Sequence, residues 1–113
     1  MQVNITIKGV EGEGKSDALK NYISDSFSKV AEFLTREGWE PINVDLIAFI
    51  SSLHAKHEFE LHIRGPHFKT IIKKEGNDIY KLIMKVMDVA VDDLHNHKRR
   101  VLDKKKDGDG FHR

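Results

Sequence analysis

The stretch Glu58-Phe59-Glu60-Leu61-His62-Ile63-Arg64-Gly65-Pro66 alternates polar and apolar side chains and then halts at a glycine–proline pair. A period of two places Phe59, Leu61 and Ile63 on one face of a strand, with Glu58, Glu60, His62 and Arg64 on the other. The strand is therefore half-exposed. Gly65-Pro66 is a turn signal, so a further strand from about His67 to Lys74 folds back as an antiparallel hairpin. Just upstream, Ile42, Val44, Leu46, Ala48 and Ile50 alternate in the same way, with Ile47 and Phe49 adding apolar surface on the second face. A strand apolar on both faces belongs in the middle of a sheet. The polar segment Ser51 to Lys56 connects the two.

Further out on the N-terminal side, Val3, Ile5 and Ile7 alternate with Asn4, Thr6 and Lys8, giving another strand. Gly9 to Gly14 interrupts it, and Ser16 is placed to cap a helix. Leu19, Ile23, Phe27, Val30 and Leu34 follow at steps of three and four, which stack on one helical face. That helix is expected from about Asp17 to Glu37, with Gly38 in the left-handed terminal conformation and Pro41 barring continuation. On the C-terminal side, Glu75-Gly76-Asn77-Asp78 supplies a break and a cap. Ile79, Leu82, Ile83, Val86, Ala90 and Leu94 then mark a second helix expected to reach about Asp103.

The order β-α-β-β-β-α predicts a two-layer α+β fold, a four-stranded sheet with two helices on one face and the other face open. The 113 residues suffice for one such domain, residues 1–103, followed by a basic tail, residues 104–113, expected to be disordered. The longest uncharged apolar stretch, Leu46 to Ile50, falls far short of a membrane span, and no secretory leader is visible. The expected location is the cytoplasm, with no membrane partner. With no cysteine, disulfides, thiolate metal sites and cysteine nucleophiles are all excluded.

The net charge of +1 conceals an asymmetry. Residues 1–50 carry five Lys/Arg against eight Asp/Glu, and residues 51–113 carry fourteen against ten. From Leu94 to Lys106 six cations face the single anion Asp103. Such a cluster attracts phosphate, acidic protein or anionic lipid, although a solvated helix end has the same composition.

Gly9-Val10-Glu11-Gly12-Glu13-Gly14-Lys15-Ser16 satisfies the nucleotide-binding pattern G-x-x-x-x-G-K-[ST] between a strand and a helix. Glu11 and Glu13 would put two negative charges into the phosphate cradle, and the hairpin leaves no room for a mostly parallel nucleotidase sheet. Asp45, the nearest candidate to hold magnesium, lies mid-strand. A flexible turn with a helix cap is the better reading. A nucleotide-binding protein using Gly14, Lys15 and Ser16 stays as an alternative. His54-x-x-His57 and His95-x-His97 with Asp92-Asp93 have weak metal spacing, because residues 95 and 97 point about 200° apart on a helix. No metal or other cofactor is expected. Glu58, Glu60 and His62 share a strand face without an indicated nucleophile, so no catalytic residue is assigned and no enzymatic activity is expected. Trp39, beside a helix end, closes the core edge rather than stacking on a base.

Three segments taken together carry a resemblance. Met1-Gln2-Val3-Asn4-Ile5-Thr6, the helix Ala18-Leu19-Lys20-Asn21-Tyr22-Ile23 continuing to Phe27-Ser28-Lys29-Val30, and Glu75-Gly76-Asn77-Asp78-Ile79-Tyr80 resemble the bacterial ribosome hibernation promoting factors, also called ribosome-associated inhibitors. The likeness covers roughly Met1 to Leu102 and is to the short form, without the extra C-terminal dimerisation domain. It implies a non-enzymatic translation inhibitor of stress or stationary phase. Such a protein binds rRNA of the small ribosomal subunit in the channel for mRNA and the A- and P-site tRNAs; action on single ribosomes alone and participation in ribosome dimers through a second factor both stay open. DNA is not an implied partner.

The resemblance also implies RNA-binding positions. Lys20 and Lys29 match basic positions of the family's first helix, and Lys98 and Arg100 match its basic C-terminal helix end, with Arg99 between them. Lys81 and Lys85 extend a cationic stripe, and Lys104 belongs to the late cluster. Asp78 and Tyr80 match the family's Asp-x-Tyr signature, read here as a cap and packing residue for the second helix. The chain departs from the pattern where Ser26, Val89 and Asp92 stand in place of basic residues, where Asp93 adds a negative charge, and in a longer glycine-rich loop. A protein-interaction module using the open sheet face around Glu58, His62 and Arg64 is the second alternative.

Overall fold

Period-two sequence becomes β1 (Gln2–Lys8), β2 (Asn43–Phe49), β3 (His57–Arg64) and β4 (Lys69–Gly76), and the two helical-period segments become α1 (Glu13–Glu37) and α2 (Ile79–Gly110). These elements come from a computed structural model that describes residues 2–9, 13–41, 43–51, 56–66 and 68–110, with the backbone alone for 13–16 and 101–110. The order is the expected β-α-β-β-β-α. The sheet is mixed and runs β1-β2-β3-β4, with β1 parallel to β2 and the remaining pairs antiparallel.

Register decides which side chains meet the helices. Ile5, Leu46 and Leu61 are aligned across the first three strands, and Leu61 faces Ile72 of β4. Leu46 and Leu61 are fully buried, as are Val44, Ala48 and Phe59. Against them α1 sets Ile23 and Val30, and α2 sets Ile83, Val86, Ala90 and Leu94, all fully buried. Phe33 and Met87 join this core although the expected stripes omitted them. Each helix faces both the sheet and its neighbour, which widens the buried arc beyond a single stripe.

Helix ends show where local chemistry differs from expectation. At the C-terminus of α1, Gly38 has φ of 71°. Trp39 N–H donates to the Leu34 carbonyl at 2.9 Å and Gly38 N–H to the Thr35 carbonyl at 3.1 Å. This pair of bonds is a Schellman motif, and glycine occupies it without a Cβ penalty. At the other end α1 begins at Glu13 and not at Asp17, so Ser16 lies inside the first turn and is not the cap. A glutamate in the first turn is favoured by the helix dipole, which extends the helix into the glycine-rich segment. α2 runs to Gly110, past the expected end at Asp103. Lys104, Lys105 and Lys106 are good helix formers, and from Ile79 to Asp107 the helix contains no glycine or proline. Residues 111–113 of the expected tail lie outside the described residues.

Candidate nucleic-acid interface

Asp78 sets the start of α2. Its Oδ1 accepts from Tyr80 N–H at 3.1 Å and from Lys81 N–H at 3.3 Å, satisfying two of the donors a helix start leaves free. This is the capping role expected of Asp78, and it places Tyr80, Lys81, Met84 and Lys85 on the first turns of α2. Tyr80 meets Tyr22 of α1 edge to face, with ring centroids 4.7 Å apart and planes at 84°. The Tyr22 hydroxyl donates to the Tyr80 carbonyl at 3.4 Å.

The outer face of α2 reads Lys81, Lys85, Asp88, Asp92 and Arg99, all exposed. Lys81 and Arg99 share one azimuth, about 27 Å apart at ~1.5 Å per residue. Two acids separate them. Asp88 pairs with Lys29 across the helix–helix interface. Lys98 pairs with Glu37 at 2.9 Å, and the Glu37 side chain is only 17% exposed. Lys20 and Lys29 stand nine positions apart, hence roughly 180° apart on α1, and do not share a face. Lys98, Arg99 and Arg100 are consecutive and fan out at about 100° per residue. Lys104 lies on α2, beyond the described side chains.

Cation density is thus split between two groups. Lys81 and Lys85 sit at the start of α2, and Arg99 and Arg100 sit in its C-terminal half, without acidic partners among the described residues. Arg36 adds a cation that the sequence reading missed. Its guanidinium lies 5.6 Å from the Phe33 ring centroid, and it lines an open groove of about 510 Å³ with Lys29, Asp88 and Asp92. The signal was its spacing of seven from Lys29, two helical turns on the same face.

The departures from the resembled pattern behave differently from one another. Asp92 is exposed on the groove. Asp93 instead turns to the sheet and accepts from the Thr70 hydroxyl at 3.1 Å. It therefore adds no charge to the outer face, contrary to the reading that grouped it with Asp92. Ser26 lies with its Oγ 3.9 Å from the Met84 sulfur, and Val89 is partly buried against the core.

The remaining candidate chemistries are dispersed. His95 packs on Phe33 with centroids 4.5 Å apart, whereas His97 packs on Trp39 at 5.3 Å. Trp39 also meets Phe33 and Phe68, so it closes the core edge as expected. His57 Nδ1 accepts from Ser51 N–H at 3.0 Å, and His54 lies outside the described residues. On the open sheet face His62 Nε2 and Glu60 Oε1 are 2.9 Å apart. Asp45 accepts from Asn4 at 3.0 Å and from Asn43 at 2.9 Å. It is level with Asn4, four residues or about 13 Å from the end of β1 where Lys8 leads into the glycine-rich segment. With one parallel strand pair and that aspartate committed to two asparagines, the nucleotide-binding alternative gains no support. No described helix is long and apolar enough to cross a membrane.

Comparison with known proteins follows the same line. Residues 3–102 match the family described as Sigma 54 modulation protein / S30EA ribosomal protein. The chain belongs to that family. Among solved structures, a ribosomal subunit interface protein from Coxiella burnetii is similar at a TM-score of 0.63 and 19% identity, over 88% of this chain and 99% of that one. The Protein Y N-terminal domain of Thermus thermophilus is similar at a TM-score of 0.61 and 17% identity, over 81% of this chain and 94% of that domain. A comparison with curated proteins returned no match. The family assignment agrees with the resemblance read from the N-terminal strand, the first helix and the Asp-x-Tyr segment. The two solved structures share the fold.

Proposed function

We infer that the protein is a ribosome-associated translation inhibitor of the hibernation type. It binds rRNA of the small subunit in the channel for mRNA and the A- and P-site tRNAs, in the cytoplasm, under stress or in stationary phase. The observation that carries this reading is the match of residues 3–102 to a family described by a ribosomal protein, with a fold shared by a subunit interface protein. The cations of α2 supply the physics. Affinity for structured RNA arises largely from releasing counterions as Lys and Arg replace them at phosphates, and the duplex is read by shape. Lys81 and Lys85 form one contact group and Arg99 and Arg100 the other, with Lys20, Lys29, Lys98 and Lys104 contributing charge around them. Asp88 and Asp92 thin the positive field between these groups, so the footprint is bipartite. No catalytic group or cofactor is required, because occupancy of the channel is itself the inhibitory act.

Co-sedimentation with purified small subunits over a salt series tests this. Binding should be tight at low salt and fall steeply as salt rises. Absence of binding at low salt would overturn the reading. Arg99→Ala with Arg100→Ala should weaken binding and flatten the salt slope while the fold is retained. An unchanged affinity would mean that this end of α2 does not touch the subunit.

A further inference from the structure

Soluble domains scatter large apolar side chains singly over their surfaces, and a cluster of them calls for a cause. Tyr80 is 45% exposed and Met84 41%, and they stand one helical turn apart on α2. Tyr22 completes the patch from α1, and the three line one shallow depression of about 450 Å³ that Lys81 and Lys85 also border. An edge-to-face pair covers at most one face of one ring, so aromatic surface remains open in the depression that Lys81 and Lys85 border. Core packing does not require this. The nearby core is closed beneath by Leu82 and Ile83, which are 6% and 0% exposed.

We propose that Tyr22, Tyr80 and Met84 form a stacking platform for an unpaired base of single-stranded RNA, with Lys81 and Lys85 holding the flanking phosphates. Two chemistries coincide here that neither a duplex nor an apolar protein surface would use together. Every base offers a π face to an aromatic ring or a thioether, and the phosphates on either side of a splayed base suit cations bordering the platform. Asp88 and Asp92 line the same depression; Asp88 is paired with Lys29, so Lys81 and Lys85 stand against Asp92 alone and the local sign stays positive. The proposal rests on the ribosome-binding reading for its biological target and adds a base-contacting element that phosphate neutralisation alone lacks.

The experiment compares the intact protein's binding to single-stranded oligoadenylate and to an abasic sugar–phosphate oligomer of equal length and charge. Oligoadenylate should bind about tenfold more tightly, and that ratio should survive added salt, which weakens both ligands alike. Tyr80→Phe should keep the preference, whereas Tyr80→Ala should abolish it. Met84→Glu, at an exposed position that burdens folding little, should abolish it too. Lys81→Ala with Lys85→Ala should weaken both ligands equally. Equal binding of the two oligomers by the unaltered protein, or a preference that persists in both Tyr80→Ala and Met84→Glu, would overturn the platform. Small-subunit co-sedimentation runs in parallel. If subunits bind while the oligomers are not distinguished, the platform fails and the ribosome reading stands. If base preference is seen without subunit binding, the platform stands and the ribosome reading fails.

Discussion

The Thr70 hydroxyl of β4 donates to Asp93 Oδ2 of α2 at 3.1 Å, joining the edge of the sheet to the middle of the longest helix. Thr70 is 5% exposed, the one buried polar residue among those described. The bond turns what reads in sequence as a second surface acid into part of the interlayer packing. Removing the hydroxyl leaves a half-buried carboxylate short of a partner. Thr70→Val should cost about 1–3 kcal/mol, read as a lower midpoint in urea unfolding with an unchanged slope.

The outward acids should act in the opposite sense. Asp92→Asn and Asp88→Asn each remove a negative charge between the two cation groups, and the second also frees Lys29. Both should tighten small-subunit binding and steepen its salt dependence, while exposed-pair energetics hold the loss of stability from Asp88→Asn below about 1 kcal/mol. Asp93→Asn should leave affinity nearly unchanged. If Asp92 and Asp93 variants behaved alike in sedimentation, orientation on α2 would not govern the interface.

Two glycines separate backbone conformation from close approach. Gly38 has positive φ with open space around it, so Gly38→Ala should cost about 1 kcal/mol from conformation alone. Gly9 has φ of 89°, and a Cβ there would lie 2.2 Å from the Ile50 carbonyl oxygen. Gly9→Ala should therefore cost about 2–4 kcal/mol, with the difference visible in paired denaturation curves.

Phe59 is fully buried on a central strand of the sheet. Phe59→Ala should cost about 3–5 kcal/mol through lost transfer energy and a residual cavity, enough to leave a small domain marginal. Ile71, on the neighbouring strand but 51% exposed, should tolerate alanine within about 0.5 kcal/mol.

Much of the architecture could be read before any coordinates because each element carried a periodic signal with its own punctuation. Gly65-Pro66 marks the β3–β4 turn, Gly38 closes α1, and Asp78 opens α2. The start of α1 escaped because Glu13 and Ser16 are both plausible first-turn chemistry, and spacing alone does not rank them. The interface was harder. Charge counts located Lys98, Arg99 and Arg100, yet ion pairing across α1 and α2 is a tertiary fact. Nothing local to Lys98 names Glu37, and nothing local to Lys29 names Asp88. Asp93 misled for the same reason, since only the β4 register shows that Thr70 awaits it. Nothing local to Tyr80 names Tyr22 either, so a ring both paired edge to face and 45% exposed is likewise a tertiary fact.

β1 gains all of its pairing from β2, and the 25 residues of α1 stand between them in the chain. Its hydrogen bonds form only after that long crossover has closed, whereas β2, β3 and β4 meet through short connections. Chain locality therefore favours the β2–β3–β4 meander over the β1–β2 pair, whose closure costs more chain entropy. A seam at that edge can loosen under strain while α2, the helix proposed above to contact RNA, keeps its packing on β3 and β4.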